Sequence, residues 1–261
     1  MAGALTADAV RELLPELILW SQLSVVASTG STNADLLAAA SEGAAEGTVL
    51  AAEEQTGGRG RLGRSWVSEP GESLTFSVLL RPAGVPQPLR GWLPLLAGVA
   101  VTEALRGEAG IEPSLKWPND VLAGGAKLAG ILAEQAGDAV VVGIGLNVAA
   151  SRDQLPTDSA TSLGLLGALA PDRSALLAAV LRELERWYRR WAGGSGDAEA
   201  SGLRTQYLRD CDTVGRQVLV EVPGGTSLTG LATGVDDLGR LVLQTADGER
   251  FISAGDVIHV R

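Results

Sequence analysis

Residues 139–148 read Ala-Val-Val-Val-Gly-Ile-Gly-Leu-Asn-Val, ten consecutive positions without a charged side chain. A short apolar run of this kind predicts a strand that is buried in the core. Two placements fit the pattern, because such a strand can lie inside a sheet or at an edge that pairs with a second copy of the chain.

The remaining apolar periodicity predicts an α+β domain followed by a small β module. Helical spacing is found at residues 34–41, 93–106, 173–191 and 203–209, and Asp8 is a candidate cap for a short helix at 9–14 that Pro15 ends or bends. Strand patterns lie at 24–27, 49–53 and 74–80, and a hairpin is predicted at 121–123 and 127–134 around Gly124-Gly125. Short strands at 217–222, 227–235, 240–244 and 250–253 alternate with turn signals and predict a β-barrel. We therefore expect one domain at residues 1–208, with a mixed sheet flanked by helices, and a second at residues 209–261.

A glycine- and arginine-rich segment at residues 57–66 reads Gly-Gly-Arg-Gly-Arg-Leu-Gly-Arg-Ser-Trp. It contains three guanidinium groups and no carboxylate, in a chain whose formal net charge is -10. Arginine presents a fork of donors to carboxylate and phosphate oxygens, and glycine lets the backbone approach a ligand closely. The segment predicts a mobile loop that closes over a small polyanion. The alternative is a disordered Gly/Arg tract of the kind that follows single-stranded RNA.

Lysine is rare in this chain, because only Lys116 and Lys127 stand among 21 basic residues. Lys116 lies in Leu-Lys-Trp-Pro-Asn-Asp at residues 115–120, a cluster of polar and aromatic side chains. Because arginine is the usual base in this chain, a lysine that is retained indicates a position where a compact point charge has a specific function.

A second polar cluster, Ser-Thr-Gly-Ser-Thr-Asn at residues 28–33, follows the first predicted strand. Hydroxyl and amide side chains are the preferred caps at the start of a helix. Ser31, Thr32 or Asn33 would therefore cap the helix predicted at 34–41.

Several kinds of catalytic site are not expected from the residues present. His259 is the single histidine and lies at the end of the β module, so no histidine is expected near these motifs, and neither a histidine-based triad nor a zinc cluster is predicted. Cys211 has aspartates on both sides and no cation to activate a thiolate, so we predict a structural role for it. The chain lacks a P-loop pattern, and Gly143-Ile144-Gly145 is not followed by the third glycine of a dinucleotide-binding fingerprint.

Composition favours a protein of the cytoplasm. The single cysteine cannot form an intrachain disulfide, which fits a reducing compartment. The sequence opens without a signal-peptide pattern, and its longest apolar stretch, 93–105, is shorter than the roughly 20 residues that a membrane span needs. The acidic charge balance disfavours non-specific binding to nucleic acid or to anionic membranes.

The groups that remain for chemistry are arginine, lysine, glycine, hydroxyls and amides, which suit reactions driven by positioning and electrostatic stabilisation. Joining a carboxylate to the α-phosphate of ATP brings a monoanion against a polyanion. Each charge pair at about 4 Å then costs about 4 kcal/mol at an effective dielectric of about 20. Cations from two loops, together with Mg²⁺, would offset this repulsion, and a Gly/Arg lid would protect an acyl-adenylate from water.

Five motifs follow one another across residues 28–148. They are Gly-Ser-Thr-Asn at 30–33, the Gly-Arg-Gly-Arg-Leu-Gly-Arg-Ser-Trp loop at 58–66, Lys-Trp-Pro-Asn-Asp at 116–120, Lys-Leu-Ala-Gly-Ile-Leu at 127–132 and Gly-Ile-Gly-Leu-Asn-Val at 143–148. In this order, and followed by a C-terminal β module, the chain resembles the biotin–protein ligases. The resemblance is to the monofunctional type, which has no N-terminal DNA-binding domain.

The resemblance implies a class II synthetase-like catalytic domain of the biotin/lipoate ligase type, followed by an SH3-like β-barrel. It implies a ligase whose substrates are biotin and ATP with Mg²⁺, and whose intermediate is biotinyl-5′-AMP. A lysine of the biotin carboxyl carrier domain of an acyl-CoA carboxylase, such as acetyl-CoA carboxylase, would then receive the biotinyl group. Neither DNA nor a membrane is an expected partner, because Arg11 is the only base before the first catalytic strand.

By the same resemblance, Lys116 and Arg61 would be the catalytic residues. Biotin would be bound by Ser31, Thr32, Asn33, Gln55, Arg59, Gly60, Arg61 and Lys116. The nucleotide would be bound by Arg61, Arg64, Trp66, Lys116, Asn119 and Asn147. No protein ligand to a metal is assigned; Asn119 and Asp120 would shape the site, assist metal binding or form a turn after Pro118.

Two other functions remain as alternatives. A lipoate–protein ligase resembles the biotin ligases in fold and adenylation chemistry but lacks the Gly-Arg-Gly-Arg pattern. A non-catalytic biotin-binding sensor or an RNA-binding protein could keep the loop, although an intact Lys116 disfavours both.

Overall fold

The computed structural model describes residues 5–14, 19–66, 68–168 and 172–260. Elements run in the order α1 (Ala7–Glu12), β1 (Gln22–Thr29), α2 (Thr32–Ser41), β2 (Thr48–Gln55), β3 (Ser73–Leu80), α3 (Leu93–Ala109), β4 (Ser114–Lys116), β5 (Asp120–Ala123), β6 (Ala126–Ala136), β7 (Ala139–Asn147), α4 (Arg173–Gly193), α5 (Leu203–Asp210), β8 (Gln217–Val222), β9 (Thr226–Val235), β10 (Leu241–Thr245), β11 (Gly248–Ile252) and β12 (Asp256–His259).

The first seven strands form one mixed sheet in the order β1-β2-β3-β7-β6-β5-β4. β1 and β2 are parallel, and every other neighbouring pair is antiparallel. β7, the uncharged run of the sequence, lies in the middle of the sheet with all nine residues buried. This placement decides between the two that the sequence left open, because the edges of the sheet are β1 and β4.

Helices cover the two faces of this sheet unequally. The main core contains α3, α4 and alternate residues of β7, among them Val140, Val142 and Ile144. On the opposite face, α2 packs through Leu36 and Ala40 against a small cluster that includes Val141 of β7. α2 is only ten residues long, so it covers this face of the sheet near the start of β7. The face near the end of β7 is left uncovered by α2.

The C-terminal strands form a second, five-stranded antiparallel sheet in the order β11-β10-β9-β8-β12. The predicted β module is confirmed as an antiparallel sheet, and its closure into a barrel stays a prediction. The module contacts the first domain through two tryptophans. The indole nitrogens of Trp92 and Trp117 donate to the carbonyl oxygens of Asp237 and Gly239 at 2.8 and 3.1 Å.

Most predicted elements are present, and the differences lie at their ends. The first helix begins at Ala7 and is capped by Thr6, whose hydroxyl accepts from Ala9 N, so the prediction of Asp8 as cap was wrong. Pro15, which was expected to end it, lies outside the described residues. Ser31 is the cap of α2 among the three candidates. Strand β4 was not predicted, because three residues are too few to show a strand period.

No helix among the described residues is long and apolar enough to cross a membrane.

Replacing Trp92 with Phe should loosen the contact between the two sheets. The change keeps most of the buried aromatic surface but leaves the Asp237 carbonyl without its donor, which costs about 1–3 kcal/mol of unfolding free energy. Urea unfolding should record this loss, and hydrogen exchange at residues 236–240 should accelerate. Trp20→Phe is the matched control, since the Trp20 indole bonds Leu181 O within the first domain. Equal exchange at 236–240 in both variants would contradict a pinning role for Trp92.

Candidate active site

The part of the sheet face that α2 leaves open forms a cavity of about 570 Å³. Successive side chains of a strand point to opposite faces, so Gly143, Gly145 and Asn147 share the face of Val141. Gly130 of β6 pairs with Gly145 and lines the same floor. The glycines remove side chains from the sheet surface where the cavity lies, and this accounts for the Gly-Ile-Gly-Leu-Asn pattern.

One end of the cavity is a pocket of hydroxyl and amide groups at the start of α2. Gln55 Oε1 accepts from Thr32 N at 2.8 Å and lies 3.0 Å from Thr32 Oγ1. Thr32 Oγ1 lies 2.7 Å from Ser77 Oγ, which donates to Asn33 Oδ1 at 2.6 Å. Asn33 Nδ2 donates to Glu134 Oε2 at 2.8 Å. Five side chains from four secondary-structure elements therefore form one continuous hydrogen-bond network.

The Gly/Arg segment folds back on itself above the cavity. Arg59 and Ser65 form an isolated antiparallel bridge, and Gly60 N donates to Arg64 O at 2.6 Å. The turn between them requires two residues at positive φ, Leu62 at 56° and Gly63 at 75°. The predicted loop is thus placed over the cavity, whereas its mobility stays a prediction.

Two arginines of this loop contact the far side of the cavity. Arg61 Nη1 donates to Asn119 Oδ1 at 3.1 Å and to Gly255 O at 3.3 Å. Arg64 forms an ion pair with Asp256 of β12. The loop therefore joins the side of the seven-stranded sheet that carries Asn119 to the C-terminal module, which carries Gly255 and Asp256.

Trp66, at the end of the loop, lies on the glycine floor. A Cβ atom at Gly145 would stand 2.3 Å from the indole, and one at Gly130 would stand 3.1 Å from it. The indole nitrogen is buried and has no hydrogen-bond partner among the described residues. Trp66 therefore needs a glycine at position 145 and packs tightly against Gly130, and its indole N–H is an unpaired donor inside the cavity.

Lys116 enters the cavity from the edge strand β4. Its neighbours Leu115 and Trp117 are buried in the core, so strand alternation directs Lys116 to the other face. Within the described residues, Lys116 Nζ has neither an ion-pair nor a hydrogen-bond partner. Burial, with Lys127 and Arg64 nearby, lowers the pKa of Lys116, and Asp120 opposes part of that shift. The ammonium is thus positioned to meet a negative group that enters the cavity.

Lys127, the second lysine, is already paired. Its Nζ lies 2.7 Å from Asp120 Oδ1 and 5.9 Å from the centre of the Trp66 ring. The two lysines line one cavity, although eleven positions separate them in sequence.

His259 also lines this cavity, so the expectation that no histidine lies near the motifs was wrong. β12 pairs with β8 and ends at His259, which lies close to Lys116. Its Nε2 lies 3.3 Å from Thr213 Oγ1, and its Nδ1 lies 3.8 Å from Asp212 Oδ2. Burial and the nearby Lys116 ammonium lower the pKa of His259, which favours a neutral ring.

Cys211 has the surroundings of a structural cysteine. It is buried, and burial raises the pKa of its thiol. This supports the inert role predicted for it.

Every residue proposed for the site from the sequence lines this one cavity: Ser31, Thr32, Asn33, Gln55, Arg59, Gly60, Arg61, Arg64, Trp66, Lys116, Asn119 and Asn147. Sequence reasoning did not assign a role to several further lining residues: Thr75, Lys127, Pro156, Thr157, Ser159, Ala160, Asp256, Ile258 and His259. Lys127 carried a signal, since it is one of only two lysines. Residues 156–160 carried no sequence signal, because it is the backbone pairing of Ala160 with Lys127 that brings them to the cavity.

In the described part of the chain, no group of three or more His, Cys, Asp or Glu side chains is close enough to hold a metal ion. Asp120 instead pairs with Lys127, and Asn119 contacts Arg61.

Comparison with known proteins matches both parts of the chain. Residues 25–148 match the Biotin/lipoate A/B protein ligase family, and residues 213–260 match the Biotin protein ligase C terminal domain. The chain is 47% identical to the biotin–[acetyl-CoA-carboxylase] ligase of Mycobacterium tuberculosis, over 93% of this chain and 90% of that protein. It is 35% identical to the bifunctional ligase/repressor BirA of Bacillus subtilis, over 89% of this chain and 71% of that protein. The solved biotin protein ligase of Aquifex aeolicus in complex with biotin and ATP superposes with a TM-score of 0.77 at 32% identity, over 92% of this chain and 99% of that chain.

Replacing Gly145 with Ala should displace Trp66 from the cavity floor, because the added methyl group would overlap the indole. With fluorotryptophan incorporated, the fluorine resonance of Trp66, assigned through Trp66→Phe, should shift and broaden. Gly107→Ala, which adds a methyl group where nothing lies within 4 Å, is the matched control. An unshifted Trp66 resonance in Gly145→Ala would show that the ring does not rest on this floor.

Proposed function

Because the chain belongs to the biotin protein ligase family, we propose that it activates biotin with ATP and transfers the biotinyl group to a protein lysine. The acceptor would be the lysine of a biotin carboxyl carrier domain, as in acetyl-CoA carboxylase, and the enzyme would act in the cytoplasm. The products of the two steps would be pyrophosphate and AMP. We further propose that residues 1–208 form the catalytic domain and residues 209–261 the C-terminal domain.

One observation supports this function most directly: a single cavity joins a pocket of hydroxyl and amide groups to a cluster of cations. The pocket of Ser31, Thr32, Asn33 and Gln55 suits a small ring with polar edges, such as the cyclic urea of biotin. The cations at the other end are Arg59, Arg61, Arg64, Lys116 and Lys127. A ligand with a polar ring at one end and a phosphate ester at the other, such as biotinyl-5′-AMP, matches both ends.

The cationic end would make the adenylation step possible. A carboxylate oxygen of biotin attacks the α-phosphorus of ATP, the phosphorus–oxygen bond to the β-phosphate breaks, and pyrophosphate leaves. Lys116, whose ammonium has no partner in the described structure, would contact the oxygens on which negative charge develops. Arg61 would hold the same phosphate from the loop. Mg²⁺ would arrive with the phosphates of ATP as part of that substrate.

The second step, transfer to the acceptor, would use the mixed anhydride of biotinyl-5′-AMP as the electrophile. The neutral amine of the acceptor lysine attacks the biotinyl carbonyl, the bond from that carbon to the phosphate oxygen breaks, AMP leaves, and the proton lost from the amine passes to solvent. The Gly/Arg loop, fixed to Asn119 and Asp256 on the far side, would keep water from the mixed anhydride until the acceptor arrives.

A lipoate–protein ligase is the second candidate, and the polar pocket argues against it. The dithiolane ring of lipoate offers no N–H donor to Thr32 and Gln55. Leaving the oxygens of this pocket without a partner would cost about 1–3 kcal/mol for each group.

The proposed function predicts a biotinylated acceptor and a strong requirement for Lys116. The chain, incubated with ATP, biotin and an acceptor domain, should give a product that streptavidin detects, and lipoate should not replace biotin. Lys116→Ala should lower biotin-dependent pyrophosphate release by about 10²–10³-fold, since it removes a preorganised charge from the transition state. Glu54→Gln, a charge change on β2 outside the cavity lining, is the control. No biotinylated product from the unaltered chain would reject the function, and near-normal release from Lys116→Ala would reject only the role of this lysine.

The lowered pKa of Lys116 predicts a fall of adenylation on the alkaline side. Lysine is charged below its pKa, so activity that needs the ammonium is present at neutral pH and is lost as the pH rises through the lowered value. kcat/KM for pyrophosphate release should therefore decline at a lower pH than an ordinary lysine would give. Lys116→Arg, although slower, should lose this decline because guanidinium stays charged. A decline that is the same in both proteins would assign the titration to another group.

A further inference from the structure

We propose that Glu134 and Ser77, which lie behind the wall of the polar pocket, orient its hydrogen bonds so that the pocket requires N–H donors from its ligand. The proposal rests on the proposed function, because biotin supplies such donors through its cyclic urea. Neither residue lines the cavity, and both act through the side chains that do.

The orientation of the Asn33 amide is fixed by its neighbours. Its Nδ2 lies 2.8 Å from Glu134 Oε2 and 3.2 Å from Leu132 O. A carboxylate and a carbonyl only accept, so the NH₂ group of Asn33 must face them. Its Oδ1 therefore faces Ser77, at 2.6 Å.

This hydrogen-bond network has fewer donor hydrogens than contacts that need one. An amide oxygen carries no hydrogen, so the Ser77 hydroxyl must donate to Asn33 Oδ1. Ser77 has no second hydrogen, so only Thr32 can supply one to the 2.7 Å contact between the two hydroxyls. That single Thr32 hydrogen is also the one that can be donated to Gln55 Oε1. Gln55 Oε1 is fixed in place by accepting from Thr32 N, and it lies 3.0 Å from Thr32 Oγ1. Three oxygen–oxygen contacts of 3.0 Å or less thus share two hydroxyl hydrogens.

The deficit falls on the Thr32 hydroxyl, whose single hydrogen can serve Ser77 or Gln55 but not both, and Thr32 and Gln55 line the cavity. Two oxygens 3.0 Å or less apart without a hydrogen between them repel, and a ligand N–H directed at Thr32 or Gln55 would relieve the repulsion. A ligand that offers only acceptors would increase it. The pocket therefore discriminates by the direction of its hydrogen bonds as well as by its shape.

Glu134 keeps the hydrogen bonds of this network pointing in one direction. If the Asn33 amide turned over, its NH₂ group would donate to Ser77, Ser77 could donate to Thr32, and Thr32 could donate to Gln55. All three contacts would then be satisfied, and the need for a ligand donor would disappear. The carboxylate of Glu134 and the carbonyl of Leu132 both oppose this reversal, because neither can donate to the turned Oδ1. A glutamine at position 134 could donate through its own NH₂ group, which would remove the charged and closer of the two acceptors.

The test compares two ligands on four proteins by calorimetry. The ligands are biotin and its carbamate analogue, in which one ureido N–H is replaced by oxygen. The proteins are the unaltered chain, Glu134→Gln, Ser77→Ala and the control Glu54→Gln. Ser77→Ala removes the hydroxyl that creates the deficit, since Thr32 can then donate to Gln55.

The unaltered chain and Glu54→Gln should bind biotin at least about tenfold more tightly than the carbamate. Both Glu134→Gln and Ser77→Ala should reduce that ratio severalfold, and the double variant should reduce it no further, because the two changes remove one feature. KM for ATP in Glu134→Gln should stay near that of the unaltered chain.

Loss of packing alone would weaken both ligands together and keep their ratio, and that result in both variants would overturn the proposal. A ratio near one in the unaltered chain would overturn it as well. Absence of any biotin binding by the unaltered chain would instead reject the proposed function.

Discussion

The absence of side chains at three strand positions is the constraint on which the rest of the site depends. Gly130, Gly143 and Gly145 clear one face of the central sheet beyond the end of α2. A side chain at Gly143 would collide with Asn33, one at Gly145 would collide with Trp66, and one at Gly130 would press against the same indole. The same strand contributes Val140, Val142 and Ile144 to the main core on its opposite face. One strand therefore stabilises the fold with one face and forms the binding floor with the other.

The cavity concentrates positive charge in an acidic protein. Five cations and two carboxylates, Asp120 and Asp256, line it, although the chain as a whole has a formal net charge of -10. Both carboxylates are occupied by ion pairs, with Lys127 and with Arg64. The side chains of Lys116 and Arg59 have no ion-pair or hydrogen-bond partner within the described chain. An entering anion therefore meets three cations that already hold their positions, Arg61, Arg64 and Lys127, which lowers the reorganisation that binding requires.

The C-terminal module contributes to the site in addition to packing against it. β12 brings Asp256, Ile258 and His259 to the cavity, and the backbone of Gly255 accepts from Arg61. The module is held from the other side by indole donors from Trp92 and Trp117. Trp117 directly follows Lys116, so the position of the module and the direction of the central lysine depend on shared contacts.

The sequence alone determined the α+β class, a C-terminal module of short strands, the buried strand at 139–148 and the family motifs, because these follow from local periodicity and from residue order. It also named twelve of the residues that line the cavity, although their roles stay proposals. Strand β4 was beyond its reach, since three residues show no period.

Only the tertiary structure decided which distant groups share a surface. It placed His259 beside Lys116 through the pairing of β12 with β8, and it placed Ser77 and Glu134 behind Asn33 through the order of the sheet. These contacts join positions 44 to 143 residues apart in the chain. Local pattern carries no information about them, because strand order and register are set by burial of the whole sheet between its helices.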